Sequence, residues 1–426
     1  MNNRIQISLF ILLLLALGSQ APAQDEVYLK IQSEGYNKIN LIIAPFRAEE
    51  QLEATEQIRG IMINDLTLSG FFNIIDAAQT IMALGDTGTG TQAITGAQVQ
   101  ASLSYRSDQI NLKVLLSELP SQRKIFEKKF EGQQQSLRWL AHQASDEVVY
   151  YLVGERGGAT TKIAFISQQG NGKELAVIDY DGAGFQRLTS SGVLNLSPRW
   201  SPQGDKIVFT SYIMDNPDLL ILRLSDKKPY RISKEAGLNT SPAWSPDGKK
   251  IALTLSKDGN PEIYVMEYAS RKLQRLTNHP AIESSPSWSP DGREIVFTSD
   301  RSGSPQLYLM DAQGGNIRRL TFEGSYNESP AWSPRGDRIA FVSRDNGRFH
   351  ICTISVTGED LLKLTDGPSD NENPCWSPNG LHIAFASNRE GRWDIYVMNW
   401  NGTQLRKLTR TGGNTSPTWS PRLTQN

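Results

Sequence analysis

Histidine, cysteine and carboxylate side chains are where catalysis or metal binding would begin, and in this chain of 426 residues they share no spacing suited to it. The four histidines, His142, His279, His350 and His382, stand beside no evident nucleophile. The sequence holds no Gly-x-Ser-x-Gly elbow, no His-Glu-x-x-His pair and no phosphate-binding loop. His350, Cys352, Cys375 and His382 can be lined up as zinc ligands on paper, but their spacing matches no compact Cys/His pattern. Both cysteines are expected as free, buried thiols, and no catalytic residue, metal site or cofactor is expected.

What recurs is a polar pair. Five residues before each of six tryptophans stands Asn195, Asn239, Glu283, Asn327, Asn371 or Asn414, followed by Leu196, Thr240, Ser284, Glu328, Glu372 or Thr415. Amides, hydroxyls and carboxylates placed this way suit hydrogen-bonded recognition of a partner or an ion. They equally suit a turn held by an Asn side chain bonded to its own backbone. The candidate partner-binding set is Asn239, Thr240, Glu283, Ser284, Asn327, Glu328, Asn371 and Glu372.

The tryptophans that key this pattern supply the architecture. Trp-Ser-Pro occurs at Trp200, Trp244, Trp288, Trp332, Trp376 and Trp419, each preceded by Ser-Pro-x, or by Asn-Pro-x at Asn373. A period of about 44 residues marks an array of identical supersecondary units. In the unit that begins at Trp288, Pro290-Asp291-Gly292 makes a tight turn. Strand patterns follow at Ile295–Ser299, Leu307–Asp311 and Arg318–Thr321. With the Ser-Pro-x-Trp segment as the first strand, each unit has four strands, which is one propeller blade. Three strand patterns (Ile163–Ser167, Leu175–Asp179, Gln186–Thr189) precede the first tryptophan segment, and only Asn414–Ser420 closes the array. Joined, they make a sixth blade and close a six-bladed propeller over residues 160–426. The repeated Trp is expected to pack between blades, and outer-strand positions such as Lys407 are expected to matter little for binding.

Residues 24–155 lack the repeat and read as an α/β domain. Strands are expected at Ile39–Pro45 and Phe71–Ile75, and helices at Glu49–Ser69, Ala77–Leu84 and Gln134–Leu152. A Gly/Thr-rich loop spans Asp86–Thr95, and an antiparallel meander spans Gln98–Tyr105, Gln109–Leu116 and Arg123–Phe130. Ahead of this domain, residues 1–23 have a basic start, an apolar run from Ile5 to Leu17 and Ala21-Pro22-Ala23, the pattern of a secretory signal peptide. In the arm Asp25, Glu26, Val27, Tyr28, Leu29, Lys30 and Ile31, the stretch from Val27 to Ile31 alternates apolar and polar. Such an arm can add a strand to a partner's sheet edge, or serve as an edge strand of its own domain.

Lys plus Arg number 44 against 45 Asp plus Glu, so no basic excess marks a nucleic-acid binder. No later segment has the roughly 20 apolar residues that a membrane helix needs.

The signal peptide, the small α/β domain with Glu26-Val27-Tyr28-Leu29-Lys30-Ile31 ahead of Ile39–Phe46, and the six Trp-Ser-Pro repeats together resemble the TolB family of the Tol-Pal system across the whole mature chain. That resemblance implies a periplasmic, non-enzymatic adaptor. Its propeller mouth would bind the peptidoglycan-associated lipoprotein Pal, and its N-terminal arm the C-terminal domain of TolA, in support of envelope integrity and cell division. Similar blades occur beside hydrolase domains in the dipeptidyl-peptidase and prolyl-oligopeptidase relatives, so a propeller-type hydrolase or glycan-binding enzyme is the alternative. The serine elbow of those enzymes is missing here.

Overall fold

The computed structural model describes residues 38–48, 52–77, 95–106 and 109–424. The signal-peptide segment, the arm Asp25–Ile31, and most of the expected 77–84 helix and 86–95 loop lie outside them.

The first region is an α/β layer. Strand β1 (Ile39–Ile43) runs parallel to β3 (Phe72–Asp76), and the helix α1 (Leu52–Leu68) makes the crossover between them. A parallel pair requires such a crossover, which a tight turn cannot supply. The two-residue strand β2 (Arg47–Ala48) pairs with β4 (Gly96–Arg106). From β4 the chain folds back through β5 (Gln109–Leu119) and β6 (Lys124–Gln133) as an antiparallel meander. The sheet order is β3-β1-β4-β5-β6. In β5, Ile110, Leu112, Val114 and Leu116 are buried in alternation with more exposed neighbours, the period-two pattern of a strand with one face in a core. After a short 3-10 turn, α2 (Leu137–Val153) packs Leu140, Ala144 and Val148 into the same core as Ile58 and Met62 of α1. Gly154, in the left-handed conformation, terminates it.

The rest is a six-bladed propeller. Blade 1 holds β10 (Asn195–Trp200), β11 (Lys206–Met214), β12 (Asn216–Arg223) and β13 (Pro229–Ser233). Blade 2 holds β14 (Asn239–Trp244), β15 (Lys250–Leu255), β16 (Glu262–Glu267) and β17 (Leu273–Arg275), and blade 3 holds β18 (Glu283–Trp288), β19 (Glu294–Ser299), β20 (Gln306–Asp311) and β21 (Arg318–Arg319). Blade 4 comprises β22 (Asn327–Trp332), β23 (Arg338–Asp345), β24 (Arg348–Ser355) and β25 (Leu362–Lys363), and blade 5 comprises β26 (Asn371–Trp376), β27 (His382–Ser387), β28 (Asp394–Asn399) and β29 (Arg406–Lys407). In blade 6, β30 (Asn414–Trp419) pairs with β7 (Lys162–Gln169), followed by β8 (Gly172–Asp179) and β9 (Gln186–Arg187). There Asn414 lies opposite Ser167 and Trp419 opposite Ile163. This pairing removes the open sheet edges that terminal blades would otherwise expose.

Each tryptophan is buried against the preceding blade. Trp288 packs with Ala252, Ile263 and Val265 of blade 2, and Trp419 with Ala384, Ile395 and Val397 of blade 5. The serine that follows each Trp is buried in the next turn; Ser245 Oγ bonds Asp247 at 2.6 Å and accepts the Lys250 N–H at 2.9 Å. A Leu-Thr pair repeats near each outer strand, at Leu276, Leu320, Leu364 and Leu408 among others, and the hydroxyl of Thr277, Thr321, Thr365 or Thr409 accepts the backbone N–H of Ile263, Leu307, Ile351 or Ile395 in the neighbouring strand.

Candidate functional site

The innermost strand of every blade carries the same irregularity. Three residues before the Trp, Ser197, Ser241, Ser285, Ser329, Asn373 and Ser416 have φ between 51° and 55°. The ladder register shifts across this point in all six blades. This is a β-bulge, and it explains the Ser-Pro pair. The left-handed conformation is tolerated by a small polar residue at a modest cost, and the following Pro lacks a donor that the broken ladder could not use. The bulge leaves the residue before it half-buried and keeps the Asn and the Trp covered.

The eight candidate residues therefore separate into two groups. Asn239, Glu283, Asn327 and Asn371 are buried, and their polar atoms are engaged inside the propeller. Asn239 Oδ1 accepts from Ser233 Oγ at 2.6 Å and from the Glu235 N–H at 2.9 Å, while its Nδ2 donates to the Glu235 carbonyl at 2.7 Å. Asn327 Nδ2 donates to Gln306 Oε1 of blade 3 at 2.9 Å, and Asn371 Nδ2 to the Phe349 carbonyl of blade 4 at 3.2 Å. Glu283 accepts from Ser299 Oγ at 2.7 Å and pairs with Arg301 at 2.8 Å. These four fasten turns and neighbouring blades. A buried group already satisfied in the fold is the less accessible partner for a ligand, so the position that follows each of these four is the more exposed one.

Thr240, Ser284, Glu328 and Glu372 are half-buried on the same strands. Two are carboxylates on adjacent blades 4 and 5. Burial raises the pKa of Glu328 above the usual carboxylate range, opposed by the hydrogen bond that Tyr326 donates at 2.9 Å. Burial also raises Glu372, and the charges of Glu328 and Asp370 add to it. Burial, helped by Glu328, pushes the Tyr326 hydroxyl up to about 12. A carboxyl raised in the folded state favours the fold while protonated and opposes it once ionised. Removing the two charges in a Glu328→Gln, Glu372→Gln double variant should therefore raise the melting midpoint by several degrees at pH 7. That gain should disappear as the pH falls to the ordinary carboxylate value of 4.5. Thermal melts across pH 4 to 7 check this, and a gain independent of pH would refute the electrostatic account.

The same end of the propeller holds apolar side chains that repeat counting passed over. Leu238 and Ile282 each directly precede the buried residue of their blade, and Ile282 is 51% exposed. Ile213 and Met214 lie in the β11–β12 hairpin, which reaches this end because Ser211 is paired with Asn195; Met214 is 58% exposed. The rim is thus apolar on blades 1 to 3 and acidic on blades 4 and 5. The readable signal was an apolar residue one place before a buried turn residue.

Lys407, expected to matter little for binding, lies on the outer strand β29. It pairs with Glu390 at 2.7 Å and with the buried Asp394 at 3.0 Å. The cysteines are free, Cys352 buried in blade 4 and Cys375 half-buried facing the channel. The arm Asp25, Glu26, Val27, Tyr28, Leu29, Lys30 and Ile31 lies outside the described residues.

A second polar cluster joins the α/β region to blade 6, and sequence reasoning missed it. Asp65 of α1 lies 2.7 Å from His142 Nδ1 of α2 and accepts from the Tyr180 hydroxyl at 2.9 Å. Burial raises the Asp65 pKa, opposed by His142. Asp65, His142 and Asp181 bring ligand-type atoms within 4.8 Å of one another. Arg138 pairs with both Asp181 and Asp179, so a cation there would meet a guanidinium; the cluster reads as an interdomain latch.

Comparison with known proteins places this geometry. The family model described as "TolB beta propeller domain" matches residues 149–423, and "TolB amino-terminal domain" matches residues 27–95. The Tol-Pal system protein TolB of Geobacter sulfurreducens is 36% identical over 213 residues, which cover 48% of this chain and 49% of that protein. The Tol-Pal system protein TolB of Desulfosudis oleivorans is 35% identical over 238 residues, covering 53% and 54%. The chain spans about half the length of the curated relatives it matches. Among solved structures, TolB from Acinetobacter baumannii aligns with a TM-score of 0.78 at 28% identity, over 90% of this chain and 97% of that one. Hydrazine synthase of Kuenenia stuttgartiensis, at 13% identity and a TM-score of 0.54 over 63% of this chain and 48% of that one, shares the fold alone.

Proposed function

The chain belongs to the TolB family, and on that footing we propose that it is a non-catalytic adaptor of the Tol-Pal system in the periplasm. In this reading the propeller mouth binds the peptidoglycan-associated lipoprotein Pal. The arm Asp25–Ile31 binds the C-terminal domain of TolA, and the two contacts together support envelope integrity and cell division. The observation that carries the Pal contact is the polarised rim. Ile213, Met214, Leu238 and Ile282 expose apolar surface on one arc, while Glu328 and Glu372 hold half-buried carboxylates on the other. Exposed apolar side chains grouped beside carboxylates that hold no ion pair among the described residues are a recognition surface rather than a stability device. A partner suited to it offers apolar side chains and a basic or hydroxyl-bearing loop.

Thr240 on blade 2 and Ser284 on blade 3 stand within the apolar arc. Changing Ser284 to Arg, or Thr240 to Trp, should weaken Pal at least about ten-fold through clash and lost hydrogen bonding, roughly 1–3 kcal/mol. Gln274→Ala on the exposed outer strand β17 should leave the affinity unchanged. Calorimetric titration with purified Pal measures both. Affinities that follow β17 and ignore the rim would move the interface elsewhere. Deleting Asp25–Ile31 should abolish TolA binding while Pal binding persists; unaltered TolA affinity would remove the arm from the proposal.

A further inference from the structure

Away from the acidic rim, at the Trp-Ser-Pro end, the central channel forms a chamber of about 390 Å³. The residue before each Trp lines it: Arg199, Ala243, Ser287, Ala331, Cys375 and Thr418. Five of these are small, and Cys375 stays a neutral thiol because burial lifts it to about 12. Arg199 alone carries a charge. Its side chain donates one hydrogen bond, from Nη1 to the Pro198 carbonyl at 2.8 Å, and no carboxylate among the described residues lies within ion-pair distance. Burial holds its guanidinium below its ordinary range. Other half-buried arginines are treated differently by this fold: Arg275, Arg301 and Arg422 each hold a buried carboxylate at 2.8 to 3.0 Å.

Two buried tryptophan N–H groups close to Arg199 also lack an acceptor. Trp288 and Trp376 donate from Nε1 to the carbonyls of Ala243 and Ala331, the residues before Trp in the preceding blades. Trp200, on the strand of Arg199, and Trp244, on the next blade, are buried with Nε1 unpartnered. A buried donor without an acceptor is costly, and a half-buried guanidinium with no carboxylate beside it among the described residues is left without a counter-charge. A counter-ion from outside the chain would offset that cost. One planar guanidinium among neutral hydroxyls and proline rings matches a two-oxygen monoanion. A phosphate dianion would need more positive charge than this chamber has. Glu328 and Glu372 repel anions from the opposite mouth, so entry is through the ring of prolines.

We propose that the Arg199 chamber is a carboxylate-binding site, open at the Trp-Ser-Pro end of the channel. The carboxylate belongs either to a small free acid or to a peptide chain.

The test titrates the full chain with sodium acetate against sodium chloride at matched ionic strength, following tryptophan fluorescence and the melting midpoint. Arg199→Ala is a conservative probe of the frame, since Ala243 and Ala331 already occupy this place in two blades. Acetate should saturate and raise the midpoint of the wild type, and should bind Arg199→Ala at least ten-fold more weakly. Arg199→Lys should bind with intermediate strength. In carboxylate-free buffer Arg199→Ala should melt above the wild type, because an unpaired charge has been removed. A short peptide with a free C-terminal carboxylate, compared with its amide, identifies the source. Competition of the acid form with acetate points to a chain, and binding of acetate alone points to a small acid. An acetate response unchanged in Arg199→Ala, no saturation at all, or a variant that melts below the wild type in carboxylate-free buffer would overturn the proposal.

Discussion

Removing the chain from Gly413 onward should abolish cooperative unfolding of the propeller at ambient temperature. The deletion takes away β30, the innermost strand of blade 6, and leaves β7 as an unpaired edge at the centre of the ring. It removes Trp419, 8% exposed, from its place against Ala384, Ile395 and Val397, and removes the bond from its Nε1 to Thr161 Oγ1 at 2.7 Å. It strips the buried Asp394 of the amide of Asn414, which donates at 2.8 Å. Truncating a buried Trp to Ala alone costs about 3–5 kcal/mol. Losing the ladder and the Asn latch as well approaches the roughly 5–15 kcal/mol that a whole domain has. Two blades fail together, because the tryptophan of blade 6 is packing for blade 5. The point variant Trp419→Ala should therefore lower the midpoint sharply while still folding, and Trp419→Phe should recover part of the loss. Calorimetry and circular dichroism read both. A truncated chain that melts cooperatively at the wild-type midpoint would mean that blade 6 is not closed by β30.

What the sequence made legible follows from how far apart the interacting residues are and whether they repeat. The Trp-Ser-Pro array announced a six-bladed propeller because Trp, Ser and Pro do the same packing and turn work in every blade, so the identities recur. The α/β elements Ile39–Ile43, Leu52–Leu68 and the meander from Gly96 to Gln133 were visible as local periodicity. The roles of the Asn ring were not visible. Asn195, Asn327 and Asn414 bond Glu174, Gln306 and Asp394 of the preceding blade, and those acceptors vary in type, so no repeated partner could be read. A buried amide and a rim amide look alike in a string of letters. The apolar arc was hidden for a related reason: an Ile before a turn reads as strand core until the strand is seen to begin one residue later. The latch of Asp65, His142 and Tyr180 spans two domains and has no periodicity at all.

The interface between the domains should give way most completely at Asp146. This buried carboxylate of α2 accepts the backbone N–H of Ala159 at 2.8 Å and of Thr160 at 3.1 Å, and the Thr160 hydroxyl at 2.7 Å; Arg422, just beyond β30, pairs with it at 3.0 Å. One side chain thus ties the helix, the linker and the segment that follows the closing strand. Gly157 is needed for this approach, since a Cβ there would lie 2.1 Å from Asp146 Oδ1. Asp146→Ala leaves two backbone donors, a hydroxyl and a guanidinium without their acceptor, and removing one partner of a buried ion pair costs about 3–5 kcal/mol. Both domains have cores of their own, Leu41 to Leu152 on one side and the blade interfaces on the other, so the loss should fall on their union. The expected result is that a single calorimetric transition separates into two, and that protease cuts appear between residues 154 and 161. Gly157→Ala should do the same by steric exclusion while keeping the carboxylate, which distinguishes loss of the docked geometry from loss of charge. If the two contacts proposed for the mouth and the arm communicate, they must do so across this junction. Asp146→Ala should then leave each partner's own affinity intact and remove any effect of one partner on the other. Calorimetric titration of Pal with and without TolA, on wild type and variant, measures that coupling directly. A variant that keeps one sharp transition and resists protease would show that Asp146 is not what holds the domains together.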